Sequence, residues 1–164
     1  NALSPRISLH NPTVPVHERY TVSIKSVLRP GSPLREKTVI QFSGFKNKRV
    51  VKGSWEGNSM RGMFDELGKV QLFIDTISPE IVPAGWSNND IINDALTISA
   101  HDNRGDIAGF EATIDGQWVL FAQKGNSFTY AFDEHCRPGR HLLIVRATDV
   151  AGNSSERKFV FTAR

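Results

Sequence analysis

Apolar residues recur at every second position in stretch after stretch of this chain, and the run His141–Asn153 (HLLIVRATDVAGN) is the clearest case. Leu143, Val145 and Ala147 alternate there with Leu142, Ile144, Arg146 and Thr148, and the run ends in a corner of Asp149, Gly152 and Asn153. A period of two sends one set of side chains to a core face and the other to water, which is the signature of a half-buried strand rather than a helix. Arg137-Pro138-Gly139-Arg140 is a turn signal before it, and Glu156 to Thr162 resumes the alternation with Phe159 and Phe161 on one face. The pattern predicts a strand, a tight corner and a closing strand. In that corner Asp149 is expected to accept from backbone N–H groups two residues on, with Gly152 supplying a positive φ.

The remaining segments extend the same pattern in both directions. Pro5 and Pro12 deny a helix to the first dozen residues, and Tyr20, Val22 and Ile24 then mark the first firm strand. Arg29 to Pro33 is a loop, Thr38 to Phe42 is a β-branched run, and Lys46-Asn47-Lys48 turns it toward Arg49-Val50-Val51 as a hairpin. Gly53 to Gly62 is diluted by Gly, Asn and Ser and reads as a loop or weak edge strand. Phe64 to Gly68 reads as one helical turn stopped by Gly68, before a strand carrying Val70, Leu72 and Ile74. Pro79 holds Ser78 extended, which places a domain junction at residues 75–79. Beyond it, Trp86 to Asp90 is a polar turn, Leu96 to Ala100 a strand, and HDNRGD (101–106) a loop. Phe110, Ala112 and Ile114 lead to the hairpin pair Asp115-Gly116, and the chain returns through Trp118 to Phe121 and on to the aromatic strand of Phe128, Tyr130 and Phe132. About seven short strands with turns every eight to twelve residues are expected in this part, as in an immunoglobulin-like sandwich without its cysteine pair. The expected fold is all-β: two consecutive β-sandwich domains, residues 1–76 and residues 77–164, the second immunoglobulin-like.

Composition narrows the context. A length of 164 residues holds two small domains of ordinary size, and 39% hydrophobic with 23% charged residues are globular proportions. No apolar run approaches the ~18 residues of a membrane helix, so the chain is expected not to span a membrane. It begins at Asn1 without a Met, which reads as a processed product or an excised piece. The single cysteine, Cys136, has no partner for an internal disulfide and reads as a small residue at a strand end rather than a reactive thiol. The net charge of +3 conceals an asymmetry: residues 1–77 carry 12 Lys/Arg against 6 Asp/Glu, and residues 78–164 carry 8 against 11.

The ordered series DTISPEI (75–81), WSNND (86–90), DNRGDIAGFEATIDGQWVLF (102–121) and PGRHLLIVRATDVAGN (138–153) resembles the C-terminal immunoglobulin-like module of bacterial secreted M23 (lysostaphin-like) zinc peptidases. The likeness covers residues 64–164. It implies a periplasmic, cell-surface or secreted location and a parent protein concerned with peptidoglycan, with an upstream catalytic domain of the same polypeptide as the natural partner. The resemblance does not carry the chemistry over. Such enzymes hold zinc through a His-x-His pair with a further His and an Asp, leaving one tetrahedral position for water. His10, His17, His101, His135 and His141 contain no His-x-His pair, and none is followed by an Asp four residues on.

Other constellations have ordinary readings beside functional ones. Arg104-Gly105-Asp106 spells an integrin-recognised tripeptide, yet turn geometry alone favours those residues. Asp75, Asp102, Asp106 and Asp149 are candidate oxygen ligands for Ca²⁺, although capping of loops is the commoner use of such groups. Lys46, Lys48, Arg49 and Lys52 gather near Phe45 and Trp55 without the dense basic stripe of a nucleic-acid domain, so they read as a solvated hairpin. The expectation is a monomeric, non-catalytic accessory or spacer module with no cofactor, no catalytic or cofactor-binding residues and no nucleic-acid partner, placed to meet a cell-wall polymer. The alternative is an independent adhesin-type or carbohydrate-binding module, which requires that at least one of Trp55, Trp86 and Trp118 stay out of the cores.

Overall fold

The computed structural model describes residues 2–164, and it is all-β. Two compact units emerge: Asn1–Thr76 with Val150–Asn153, and Ile77–Asp149 with Ser154–Arg164. Each has its own pair of sheets and its own core.

The first unit sets β1 (Ile7–Ser8), β7 (Lys69–Ile74), β3 (Thr38–Ser43) and β4 (Lys48–Val51) side by side in that order. Its other sheet is β2 (Tyr20–Lys25), β6 (Ser59–Phe64) and β5 (Ser54–Glu56). The expected alternation fills the space between them: Ile40, Phe42, Val70 and Leu72 from one sheet meet Ile24, Met60 and Phe64 from the other. Each such side chain contributes about 1.5–3 kcal/mol by leaving water. Phe42 stacks on Phe64 at 5.2 Å, and Gly62 brings the sheets close because a Cβ there would lie 2.5 Å from Ile40 Cδ1. Within the same unit, Asp75 donates its N–H to the Lys37 carbonyl and accepts from Asn153 Nδ2.

The second unit is an immunoglobulin- or fibronectin-like sandwich. One sheet runs β13 (Ala122–Lys124), β14 (Ser127–Ala131), β10 (Ala95–His101) and β8 (Glu80–Pro83). The other runs β12 (Gln117–Trp118), β11 (Ile107–Ile114), β15 (Gly139–Asp149), β16 (Ser154–Ala163) and β9 (Ile91–Ile92). Leu143, Val145 and Ala147 are wholly buried and Phe161 joins them, as the period of two requires. Asp115 (φ 51) and Gly116 (φ 84) both take the left-handed conformation that a two-residue hairpin with right-twisted strands demands, and Gly152 (φ 78) does the same in the β15–β16 corner. The parallel pairing of β16 with β9, Thr162 with Ile91 and Ala163 with Ile92, was not visible as a pattern because β9 has only two residues.

One local expectation fails and another holds in part. Phe64–Gly68 forms no helical turn: Phe64 ends β6 opposite Tyr20, and Gly68 runs so close to the Ser43 carbonyl that a Cβ would lie 2.4 Å from it. Backbone contact across strands, not helix termination, is what selects that glycine. Residues 53–62, expected as a loop or weak edge strand, do supply the edge strand β5, but β6 beside it is the middle of its sheet: the two form a hairpin around Gly57 (φ 55) and deliver Met60 fully buried to the core. The stretch Arg29–Pro33 runs into a single 3₁₀ turn, Pro33–Arg35, closed by Thr38 Oγ1 donating to the Leu34 carbonyl at 2.8 Å.

Candidate functional site

The three tryptophans have separate fates. Trp86 is half-buried, donates Nε1–H to the Thr97 carbonyl at 2.8 Å and meets Phe159 edge-on at 5.6 Å, so it closes the second core. Trp55 is half-buried too; its Nε1–H goes to the Arg35 carbonyl, and the Arg35 guanidinium lies over its ring at 3.9 Å. Trp118 is different, with 63% of its surface open. Around it, alternation in the segment 118–121 buries Val119 and Phe121 and turns Trp118 and Leu120 outward.

Strand register extends that feature across the outer face of the five-stranded sheet. Trp118 stands opposite Thr113, Thr113 opposite Ile144, and Ile144 opposite Lys158, so all four share a face. One step along, Leu142 faces Val160 and Thr162 faces Ile91. Leu142 and Ile91 are exposed while Ile144 and Val160 are half-buried, which gives an outward apolar stripe on a surface that water would otherwise claim. Polar rows flank it: Arg146 reaches Glu156 at 3.1 Å, and Lys158 lies 4.0 Å from the same carboxylate. A flat aromatic and aliphatic face bordered by charge can stack on a ring and hydrogen-bond its rim.

The candidate acids divide. Asp102 Oδ2 accepts from the N–H groups of Arg104 (2.8 Å) and Gly105 (2.9 Å), so the Arg104-Gly105-Asp106 loop is shaped by an Asx-type turn. Its Oδ1 is enclosed and has no hydrogen-bond partner among the described residues. Asp149 is 2% exposed, and one of its carboxylate oxygens lies within 4.8 Å of one from Asp102. These two residues are brought together in the second unit; Asp106 is exposed and outside the group, and Asp75, buried, belongs to the first unit. The Asp102–Asp149 pair could supply only part of the about six to eight oxygens that calcium takes.

No histidine belongs to a group of three or more metal-ligating side chains among the described residues. His101 bonds Ser99 Oγ at 2.6 Å and sits 3.3 Å from Asn126 Nδ2, and His135 donates its backbone N–H to Asp133. His10 and His17 are exposed. His141 is held on both ring nitrogens, Nδ1 by Asp115 Oδ2 at 2.7 Å and Nε2 by the Arg137 carbonyl at 2.6 Å, with its ring stacked on Phe161. Two acceptors on one imidazole favour the doubly protonated form. Partial burial works against that charge, but the Arg137 carbonyl and the Asp115 carboxylate outweigh it and raise the His141 pKa. Burial also opposes the Asp115 charge, yet the Leu142 N–H and His141 hold its carboxyl below the ordinary range. Cys136 is buried, and burial, with Asp133 and Asp115 nearby, pushes its thiol up to about 11, where it is inert as a nucleophile.

The basic hairpin does not form a single patch. Arg49 pairs with Asp65 and lies over the Phe42 ring, Lys52 donates to the Glu36 carbonyl, and Trp55 stacks with Arg35 instead. Lys48, one residue from Arg49, points to the opposite face of its sheet. There it meets Lys69 and Arg6, two residues that sequence reasoning did not connect with it because they come from β7 and from the segment before β1.

No known protein family profile matches the chain, and no curated protein sequence matches it. Solved structures with similar folds include the endo-β-1,4-mannanase of Thermotoga petrophila (TM-score 0.45, 8% identity, 55% of this chain and 20% of that one). The fibronectin(III)-like modules of Clostridium thermocellum CbhA give TM-score 0.44 at 11% identity, over 88% of this chain and 85% of theirs. The SrpA adhesin of Streptococcus sanguinis gives 0.40 at 17% identity, over 55% and 59%. The chain thus spans about a fifth of the mannanase and less than two thirds of the adhesin.

Proposed function

We propose that this chain is a non-catalytic binding module of a secreted or cell-envelope protein, and that it meets a saccharide of the envelope through the Trp118 face. The observation that carries this reading is Trp118 itself, 63% exposed on the sheet face that also carries the outward Leu142 and Ile144 stripe. An indole in water is costly unless its face is used, and the C–H face of a pyranose is the complementary surface. The order of sequence motifs from Asp75 to Asn153 supports a place beside the catalytic domain of a lysostaphin-like peptidase, where such a module would hold the enzyme to its polymer.

The test is co-sedimentation of the purified chain with isolated peptidoglycan sacculi, with Trp118→Ala alongside. Retention that falls at least tenfold in the variant is expected, since stacking anchors of this kind carry most of a small interface. Equal retention of both proteins, or none of either, refutes the Trp118 reading. A second reading, adhesion to a protein, is favoured by the continuation of the stripe through Val160 to Ile91, beyond the reach of one sugar ring. Ile91→Asp would weaken that partner and spare a saccharide.

A further inference from the structure

The outer face of the four-stranded sheet in the first unit carries three cations around one hollow. Register aligns Ser8, Lys69, Ser43 and Lys48 in a straight row over β1, β7, β3 and β4. The next row on that face is Gln71, Gln41 and Val50, and Arg6 completes the rim. Arg6, Gln41, Ser43, Lys48, Lys69 and Gln71, with Val70 and Phe73, line a cavity of about 180 Å³, and no Asp or Glu lines it. Arg6, Lys48 and Lys69 make no ion pair among the described residues, and the side chains of Gln41 and Ser43 make no hydrogen bond there. The two lysines stand two strands apart, roughly 10 Å, which is about one Debye length at moderate salt.

This arrangement has a physical consequence. Cations flanking a hydroxyl-and-amide floor with no counterion leave a positive potential focused in a hollow, where solvent screening is weaker than on an open face. The cavity is smaller than the ~300 Å³ at which pockets for whole drug-sized ligands begin, so it suits one anionic group and not an entire ligand. We propose that it is an oxyanion site, seating a sulfate or phosphate ester carried on an acidic polysaccharide. Ser43, Gln41 and Ser8 would bond neighbouring sugar hydroxyls along the row while Arg6, Lys48 and Lys69 hold the charge. Nucleic acid fits less well, because three cations in one hollow do not track a phosphate backbone. The hollow belongs to the first unit and Trp118 to the second, and the two proposals stand or fall separately.

The experiment is binding of the full chain to dextran sulfate, with neutral dextran, inorganic sulfate, inorganic phosphate and duplex DNA as comparison probes. Two variants of equal charge are compared, Lys48→Gln with Lys69→Gln in the hollow and Lys25→Gln with Lys124→Gln outside it. The expected result is binding to dextran sulfate that weakens with salt, competition by millimolar sulfate or phosphate, and at least a tenfold loss confined to the first variant. Equal losses in both variants would reduce the effect to net charge and overturn the site. So would failure of dextran sulfate to bind the parent chain. DNA binding tighter than dextran sulfate, with the same dependence on Lys48 and Lys69, would overturn the polysaccharide as its occupant. All four lysines are exposed, so circular dichroism of either variant should match the parent.

Discussion

His141 shows how a single side chain ties this fold to pH. Its ring nitrogens face a carboxylate and a carbonyl, with Glu134, His135 and Arg137 around the same hollow, so the imidazolium is the form that the site satisfies. Because the folded pKa is raised above 6.5, the contribution to stability is complete below that value and fades as pH rises through the folded pKa. Asp115 works in the other direction: its folded pKa is depressed, so its share is present above 3.8 and fades as pH falls through the lowered value. The pair therefore contributes most between about pH 3.8 and 6.5. Denaturant unfolding at pH 6 and pH 8.5 should show the parent losing stability at the higher pH and His141→Gln losing distinctly less. Since Asp115 is half open to solvent, a difference under about 1 kcal/mol is expected. Asp149 is a second residue whose role can be read by substitution. Buried and set beside Asp102, it should cost on the order of 1–3 kcal/mol as Asp149→Ala. Unfolding in the presence of Ca²⁺ separates two roles: stabilisation of the parent that the variant lacks marks a cation ligand, and an equal loss with and without Ca²⁺ marks a structural acceptor.

Among the strands, legibility followed the strength of the alternation. β15 and β16 were plain in the sequence because Leu143, Val145 and Ala147 in one and Phe159 and Phe161 in the other keep a period of two. The β5–β6 hairpin was hidden because Gly53, Gly57 and Gly62 interrupt the apolar count, although two of them are there for packing. At Gly53 a Cβ would lie 2.5 Å from the Arg61 carbonyl, and at Gly62 it would meet Ile40. Gly62→Ala should therefore destabilise the first unit by about 1–3 kcal/mol through overpacking. Combining it with Ile40→Val should recover part of the loss, and a double-mutant cycle by urea unfolding measures the coupling. The candidate sites obey the same limit. Trp118 was visible as a residue type, but its exposure depends on which strand it borders. The Lys48–Lys69–Arg6 hollow depends on pairing residues far apart in the chain, and no local pattern records such pairing.

Over the whole chain, each unit fills its core from its own residues. Leu72 lies in the first core and Leu143 in the second, both fully buried, and truncating either to Ala should cost about 2–5 kcal/mol. Without shared neighbours in either cluster, the two losses should add to within about 0.5 kcal/mol in the double variant, as measured by thermal or denaturant unfolding. The charge imbalance seen in the sequence has its counterpart here: Arg6, Lys48 and Lys69, which make no ion pair among the described residues, all sit in the basic first unit.

The parallel pairing of β9 with β16 also dictates timing. Ile91 must wait for Thr162 before β9 has a strand to bond, and β15, which already has β11 on one edge, must wait for Ser154–Ala163 to cover the other. A sheet in which β16 lies between β15 and β9 cannot be completed before that strand is made, and closing the long loop from β9 to β16 is slow, in the roughly millisecond-to-second range. Until then one edge of β15 is an open template, and its safe passage depends on how quickly the ten-residue β16 arrives.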